Sequence, residues 1–133
     1  MYFLKIKHRH IKHLPIFIFI WLPFVFVIAL DIVIEIYHRI SFPIYGKSFV
    51  HRGEYIKIDR HKLSYLNFRE KIFCFYCGYV NGVMAYWVRI AGETESYWCG
   101  IKHKSSDVFK EPEHHKDFVD YDDEKQFVDQ YKS

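Results

Sequence analysis

The sequence has few cysteines and no glycine-rich nucleotide-binding motif. Its three cysteines cannot all pair within one chain, which excludes a scaffold held together by disulfides alone. It contains neither a GxGxxG fingerprint nor a P-loop, so no motif points to a dinucleotide or a nucleoside triphosphate. Charge is absent from one long stretch, residues 14–30, whereas aromatic residues make up 20% of the chain. These features direct attention to a membrane segment and to the three cysteines.

The uncharged stretch is long enough to cross a membrane. Extending it to residue 34 adds only Asp31, and these 21 residues form a helix of about 31 Å, which matches a hydrocarbon core of about 30 Å. The run is longer than the apolar part of a signal peptide, and no small-residue cleavage site follows it. We therefore predict a retained membrane anchor over residues 14–40.

Basic residues do not fix the orientation of this anchor. Four precede it and five follow it up to Arg60, so the charge bias across the segment is nearly zero. Pro15 and Pro23 favour a kinked helix that turns back or lies in one leaflet, which would leave both basic flanks on one side. A single span with the domain outside is the alternative. Because the cysteines suit a metal better than a disulfide, we predict the cytoplasmic face.

Residues 1–13 form a basic, histidine-rich arm. Histidines at this density could capture metal ions. A polybasic arm that lies on anionic lipid is the alternative, since each Lys or Arg near such a surface contributes about 1 kcal/mol. We favour the lipid-binding interpretation.

After the anchor we predict a small, mainly α-helical domain over residues 41–104. Residues 49–58 alternate in polarity and predict a short strand or hairpin around Gly53. Ser64 is the predicted N-cap of a helix over residues 65–73, and apolar spacing predicts a second helix over residues 79–97. A domain of this size buries modest apolar area, so a bound metal would help to stabilise it.

All three cysteines fall in one pattern with a histidine. Cys74 and Cys77 belong to a CxxCG motif, in which one tight turn presents two thiolates and the glycine lets backbone amides point at sulfur. Cys99 and His103 follow at a spacing that brings both side chains to one face of a helical turn. We predict that these four residues bind one ion as a Cys3His set. Zinc is the expected ion, and iron is the alternative.

The separation between the two halves of this pattern constrains the fold. The 21 residues between Cys77 and Cys99 would form a straight helix of about 30 Å, which is too long for one ion to bridge. The predicted site therefore requires a break, for example near Gly92, or a chain that doubles back. His51 and His61 are alternative nitrogen ligands.

Residues 105–133 form an acidic tail. They contain nine acidic and four basic residues, whereas residues 1–104 contain seven acidic and fifteen basic residues. This composition predicts a mobile segment that ends in a short helix. It could fold back on the basic body or dock on a membrane protein, and we favour a solvated tail over a specific docking motif. The tail also contains the adjacent histidines His114 and His115. We expect no nucleic-acid partner, because the membrane accounts for the basic residues.

Residues 59–103 resemble a family of small, uncharacterised bacterial membrane-associated proteins with a CxYCxYxNG…YWCxIKH pattern. The residues that carry the resemblance are Asp59, Arg60, His61, Tyr65, Leu66, Asn67, Glu70, Lys71, Cys74, Tyr76, Cys77, Tyr79, Asn81, Gly82, Ala85, Tyr86, Thr94, Glu95, Tyr97, Trp98, Cys99, Ile101, Lys102 and His103. The family also has an apolar N-terminal segment. This chain departs from the family pattern at Val88, Arg89, Glu93 and Gly100. The resemblance implies a bacterial origin and carries no activity. Together with the anchor, it leads us to predict a protein of the bacterial inner membrane.

Two functional hypotheses fit these observations. In the first, a membrane-anchored protein with a structural zinc site is an interaction or accessory subunit that binds a membrane partner through its acidic tail. In the second, the chain is a membrane-associated redox or hydrolytic metalloprotein that uses iron or an open zinc site. We favour the first, because closed Cys3His sites are usually structural. The sequence does not decide whether the chain is an enzyme.

Overall fold

The structure, a computed structural model, describes residues 14–132 and is mainly α-helical, as predicted. The arm predicted for residues 1–13 lies outside this range. Four α-helices within the range are labelled in chain order: α1 (Leu14–Ile44), α2 (Arg52–Tyr55), α3 (Phe68–Trp98) and α4 (Glu124–Tyr131). Two short 3-10 turns lie at Arg60–Lys62 and Glu113–Asp117.

Helix α1 contains the whole segment that we predicted as the anchor and extends one turn beyond it. The helix continues through Pro23 and ends at Ile44. Gly46 stops it in the left-handed conformation, with a φ of 65°, and the amides of Gly46 and Lys47 donate to carbonyls of the last turn. Within the described residues, Ile18–Ile44 is the one segment long and apolar enough to cross a membrane.

Helix α3 is a single element where we predicted two helices and a turn. It begins after Asn67 rather than Ser64. The Asn67 side chain accepts a hydrogen bond from the Glu70 amide, and the Glu70 carboxylate accepts one from the Asn67 amide. This reciprocal capping satisfies two amides that the first turn leaves unpaired, which fixes the start of the helix.

The turn predicted at the CxxCG motif is absent, because residues 74–78 are helical. The glycines in this part of α3 serve close packing instead. A Cβ at Gly78 would lie 3.2 Å from the carbonyl oxygen of Lys57, and a Cβ at Gly82 would lie 2.7 Å from that of Tyr55. The missing side chains therefore let the connection between α1 and α3 lie directly on α3.

The strand or hairpin predicted over residues 49–58 is not confirmed. Its centre forms the single turn α2, in which the Ile56 amide donates to the Arg52 carbonyl. The described residues contain no strand, and their one isolated bridge joins Ile101 to Val119. In this segment Val50, Arg52, Tyr55 and Ile56 are partly buried against the helices, and the other residues are exposed.

The two long helices run parallel to each other. Towards their N-terminal ends, the Tyr76 hydroxyl donates to the Ile20 carbonyl at 2.9 Å. At their C-terminal ends, the Trp98 indole donates to the Tyr45 hydroxyl at 3.1 Å. Because the helices share a direction, the connection over residues 46–67 has to run back along the pair.

A small core lies between α1, α3 and this connection. Its buried members are Phe42, Tyr86 and Ile90, and partly buried side chains of the connection, such as Val50 and Tyr55, pack around them. The connection therefore contributes to the core and is not a free loop.

The acidic segment packs on the end of α3. The Val119 amide donates to the Gly100 carbonyl and the Lys102 amide donates to the Val119 carbonyl, both at 2.8 Å. Phe118 and Val119 are buried. This docking brings the 3-10 turn at Glu113–Asp117 against the last turns of α3.

Candidate metal centre

The structure separates the two halves of the predicted Cys3His set. Cys74 and Cys77 lie in the first half of α3, and Cys99 follows its last residue. The helix passes through Gly92 without a break and places Cys77 and Cys99 about 33 Å apart along its axis. The four predicted ligands therefore cannot share one ion in this arrangement.

No third ligand joins the CxxCG cysteines within the described residues. Cys74 is half-buried and Cys77 is exposed, and neither belongs to a group of three potential metal ligands. The alternative ligands His51 and His61 are exposed and lie outside such a group as well.

Glu95, His114 and His115 form the three-ligand group that the described part of the chain contains. The Glu95 carboxylate lies between the two imidazoles, with Oε2 at 2.7 Å from His114 Nε2 and Oε1 at 3.2 Å from His115 Nε2. Tetrahedral zinc with bonds of about 2.0–2.2 Å sets neighbouring ligand atoms about 3.3 Å apart. Small movements of these side chains would accommodate an ion.

His115 is the buried member of this group. Its side chain is 1% exposed and its ring stacks on Phe118 at a centroid distance of 4.7 Å. Its Nδ1 atom has no hydrogen-bond partner among the described residues. An unpaired buried polar atom costs about 1–3 kcal/mol. The other ring nitrogen, Nε2, faces Glu95 and is the one available to an ion at this site, so Nδ1 is not part of the ligand set.

Local structure holds both histidines at the end of α3. The 3-10 turn at Glu113–Asp117 presents them on consecutive residues. Gly92 lets the His114 ring approach the helix, since a Cβ at this position would lie 3.0 Å from the ring. Glu95 follows on the next turn of the same helix.

Electrostatics keep Glu95 in the form that binds metals. The hydrogen bond from His114, supported by that from His115, holds the pKa of the Glu95 carboxyl below its ordinary value. Glu95 is therefore an anionic carboxylate at neutral pH, as metal coordination requires.

Of the four predicted ligands, His103 lies beside this group. Its ring centroid is 5.7 Å from that of His115 and 5.5 Å from that of Phe109. His103 is exposed. Cys99 lies one helical turn after Glu95, to whose carbonyl it donates its amide at 2.7 Å.

Sequence reasoning did not join Glu95, His114 and His115 into one site. The adjacent histidines were visible in the acidic tail, but their pairing with Glu95 depends on how that tail docks on α3. The local signal was two histidines side by side in a segment rich in carboxylates.

A second polar cluster joins α1 to the connection and to α3. Asp31, 6% exposed, pairs with both terminal nitrogens of Arg52, with Nη1 at 2.8 Å from Oδ1. It also accepts hydrogen bonds from the Tyr79 hydroxyl at 2.7 Å and from the Trp87 indole at 3.3 Å. Both carboxylate oxygens are therefore hydrogen-bonded, which offsets the cost of burying the charge and is typical of an ion pair with a structural role.

The same polar stripe continues along α1. The Tyr86 hydroxyl donates to Glu35 at 2.8 Å and lies 2.9 Å from His38 Nδ1. Asp31, Glu35 and His38 are spaced by four and three residues, so they share one face of the helix. That spacing could have identified the stripe from sequence.

No protein-family model, curated protein or solved structure matches this chain. The family resemblance of residues 59–103 therefore stays a prediction. The function has to be argued from the side chains that the fold brings together.

Proposed function

We propose that this chain is a membrane-anchored metal-binding protein in which zinc, held by Glu95, His114 and His115, fastens the C-terminal segment to α3. The supporting observation is a carboxylate placed between the Nε2 atoms of two imidazoles, one of which is buried. Glutamate and histidine are common zinc ligands. This set takes the place of the Cys3His set as the metal site that the geometry favours.

Membrane association is the second part of this proposal. Helix α1 has the length and composition of a membrane segment. Its outer side is apolar and exposed, for example at Phe19, Val25 and Ile40. A continuous apolar surface of this kind is unfavourable in water and suits lipid. The bacterial inner membrane and the cytoplasmic face rest on the sequence resemblance and on the unpaired cysteines.

An accessory role suits this site better than catalysis. Two surface cavities lie along the connection, one beside Phe49 and Arg89 and the other beside Arg60 and Asn81, and neither is lined by the three ligands. The proposed ion would therefore hold two parts of the chain together. The exposed side of the docked acidic segment, for example at Tyr121, would then be available to a partner protein.

The ligand count supports one alternative. Three protein ligands leave one position of a tetrahedral ion open, which is the arrangement of hydrolytic zinc sites, and two histidines with a carboxylate also suit iron(II). Visible absorption, or a bound metal with an exchangeable water, would favour this alternative over a structural zinc.

Metal analysis tests the proposal. The full chain is extracted in mild detergent, freed of metal with a chelator and titrated with zinc in a calorimeter. We expect one zinc per chain, and we expect Glu95→Gln to weaken binding by at least about tenfold, since one ligand of three is lost.

Two variants serve as controls for this titration. Glu93→Gln removes a carboxylate of the same helix that pairs with Lys47 and Arg89 and is not one of the three ligands, so zinc binding should weaken far less than in Glu95→Gln. Cys77→Ser tests the cysteine-based hypothesis and should leave binding unchanged. Absence of zinc binding, or zinc that depends on Cys77 and not on Glu95, would refute the proposed centre.

A further inference from the structure

The connection between α1 and α3 carries charged residues to the middle of the apolar helix. The carbonyl of Lys57 lies against Gly78. The next residue, Tyr79, packs its ring 5.7 Å from Phe24 and donates its hydroxyl to Asp31. Because Asp31 is the midpoint of Ile18–Ile44, Lys57 lies level with the central part of the apolar segment.

The charges at this level point away from the helices. The side chains of Lys57 and Asp59 are 84% and 52% exposed, and the turn at Arg60–Lys62 that follows is exposed as well. If α1 crossed the bilayer upright with lipid on all sides, these charges would lie in hydrocarbon. Irregular backbone exposed to lipid does not occur at that depth, and charged side chains there are costly. An upright span is therefore incompatible with this connection.

The two sides of α1 differ sharply in polarity. The side towards α3 and the connection carries Asp31, Glu35 and His38. The opposite side is exposed and apolar along the whole helix, and its members recur every three or four residues: Ile18, Leu22, Val25, Ile28, Ile32, Ile36, Ile40 and Ile44. This apolar side is about 39 Å long at the rise of an α-helix.

We infer that α1 lies along one leaflet, with its outer side in lipid and with α3 and the connection towards water. Both ends of α1 and the metal centre are then on the same side of the membrane. The inference rests on the membrane association proposed above. Sequence charge agrees with it, because nearly equal numbers of basic residues precede and follow the anchor, as expected when both of its ends lie on one side of the membrane.

Depth measurements on the outer side of α1 test this arrangement. Single cysteines replace Ile18, Ile32 and Ile44 in the full chain, with Cys74, Cys77 and Cys99 changed to serine, and each is spin-labelled. The protein is added to sealed vesicles of phosphatidylcholine and phosphatidylglycerol. The accessibility of each label to oxygen and to a water-soluble nickel chelate gives its depth.

A helix along one leaflet gives similar oxygen-to-nickel ratios at all three positions. A label at Asn81, exposed on α3, is the control and should be several-fold more accessible to nickel. A ratio several-fold higher at Ile32 than at both ends would mean a span and would overturn the inference. Low accessibility to both reagents with spin–spin broadening at Ile32 would also overturn it, because a second copy would then cover this side.

Labelling from outside separates this inference from the proposed membrane association. Cysteines introduced at Lys12 and at Ser48 flank α1 and are treated with an impermeant maleimide. Equal labelling at both sites of the bound protein supports the inference. Protection of one site until detergent is added would refute it while leaving the anchor intact. Failure of the chain to sediment with the vesicles would refute both.

Discussion

Arg52 lies 21 residues after Asp31 in sequence and forms a two-pronged ion pair with it across the interface between the connection and α1. Tyr79 and Trp87 of α3 donate to the same carboxylate. One buried acid thus joins three parts of the chain. Because the Asp31 carboxylate accepts hydrogen bonds from three side chains, a charged residue is tolerated at the middle of an apolar helix.

Removing Arg52 should weaken the whole helix pair. In Arg52→Ala, Asp31 keeps only two neutral donors, and we expect a loss of about 2–3 kcal/mol in the free energy of unfolding. Denaturation in mild detergent, followed by circular dichroism, measures it. Arg39→Ala is the control, since that side chain is 72% exposed in its pair with Glu35 and should contribute at most about 0.5 kcal/mol. Equal effects of the two substitutions would contradict the role of Asp31.

Gly82→Ala should destabilise the protein even though alanine is the better helix former. A Cβ at this position would lie 2.7 Å from the Tyr55 carbonyl oxygen and 2.8 Å from Ile56 Cα, and these backbone atoms cannot move alone. We expect overpacking to cost about 1–3 kcal/mol, more than the roughly 1 kcal/mol that helix propensity returns. Gly53→Ala, with no atom near its Cβ, is the control for the same measurement. A more stable Gly82→Ala protein would mean that the connection does not pack there.

Tyr86→Phe should lower the free energy of unfolding clearly, although it removes only one hydroxyl group. The residue is 1% exposed. Without its hydroxyl group, the Glu35 carboxylate and the Nδ1 atom of His38 each lose a hydrogen-bond partner. We expect a loss of about 1–2 kcal/mol in the free energy of unfolding. Tyr97→Phe, at a residue that is 47% exposed, should change stability little in the same assay. The prediction fails if both variants unfold alike.

Local patterns were enough to predict the helical class and the long apolar helix. Residues 14–30 carry no charge, and such a run predicts a helix whatever the rest of the chain does. The continuity of α3 was harder to predict from sequence. Gly78 and Gly82 resemble turn residues in sequence, and only the carbonyls of Lys57 and Tyr55, supplied by a distant segment, explain why glycine lies inside a helix.

The separation of the four predicted ligands along α3 was not visible in the sequence for a related reason. The CxxCG spacing is compatible with a metal knuckle and equally with two cysteines on successive positions of one helical face. Spacing does not reveal that α3 passes through Gly92 unbroken. Nor does it reveal that Glu95 meets His114 and His115, because that contact needs the Gly100–Val119 hydrogen bond, which sets where the acidic segment docks.

Removing zinc should loosen that docked segment before it affects the helix pair. With the metal-free protein we expect faster hydrogen exchange at the amides of Phe118 and Val119, which lie just after the ligand-bearing turn, and unchanged exchange around Tyr86. Acidification should act in the same direction, since protons compete with the metal for imidazole nitrogens and affinity falls as pH falls.

Glu95→Gln should show the metal-free exchange pattern with zinc present, whereas Glu93→Gln should respond to zinc as the unmodified chain does. If exchange at Val119 is slow both with and without zinc, the hydrogen bond to Gly100 and apolar packing are enough to hold the segment on α3. The ion would then not stabilise this docking.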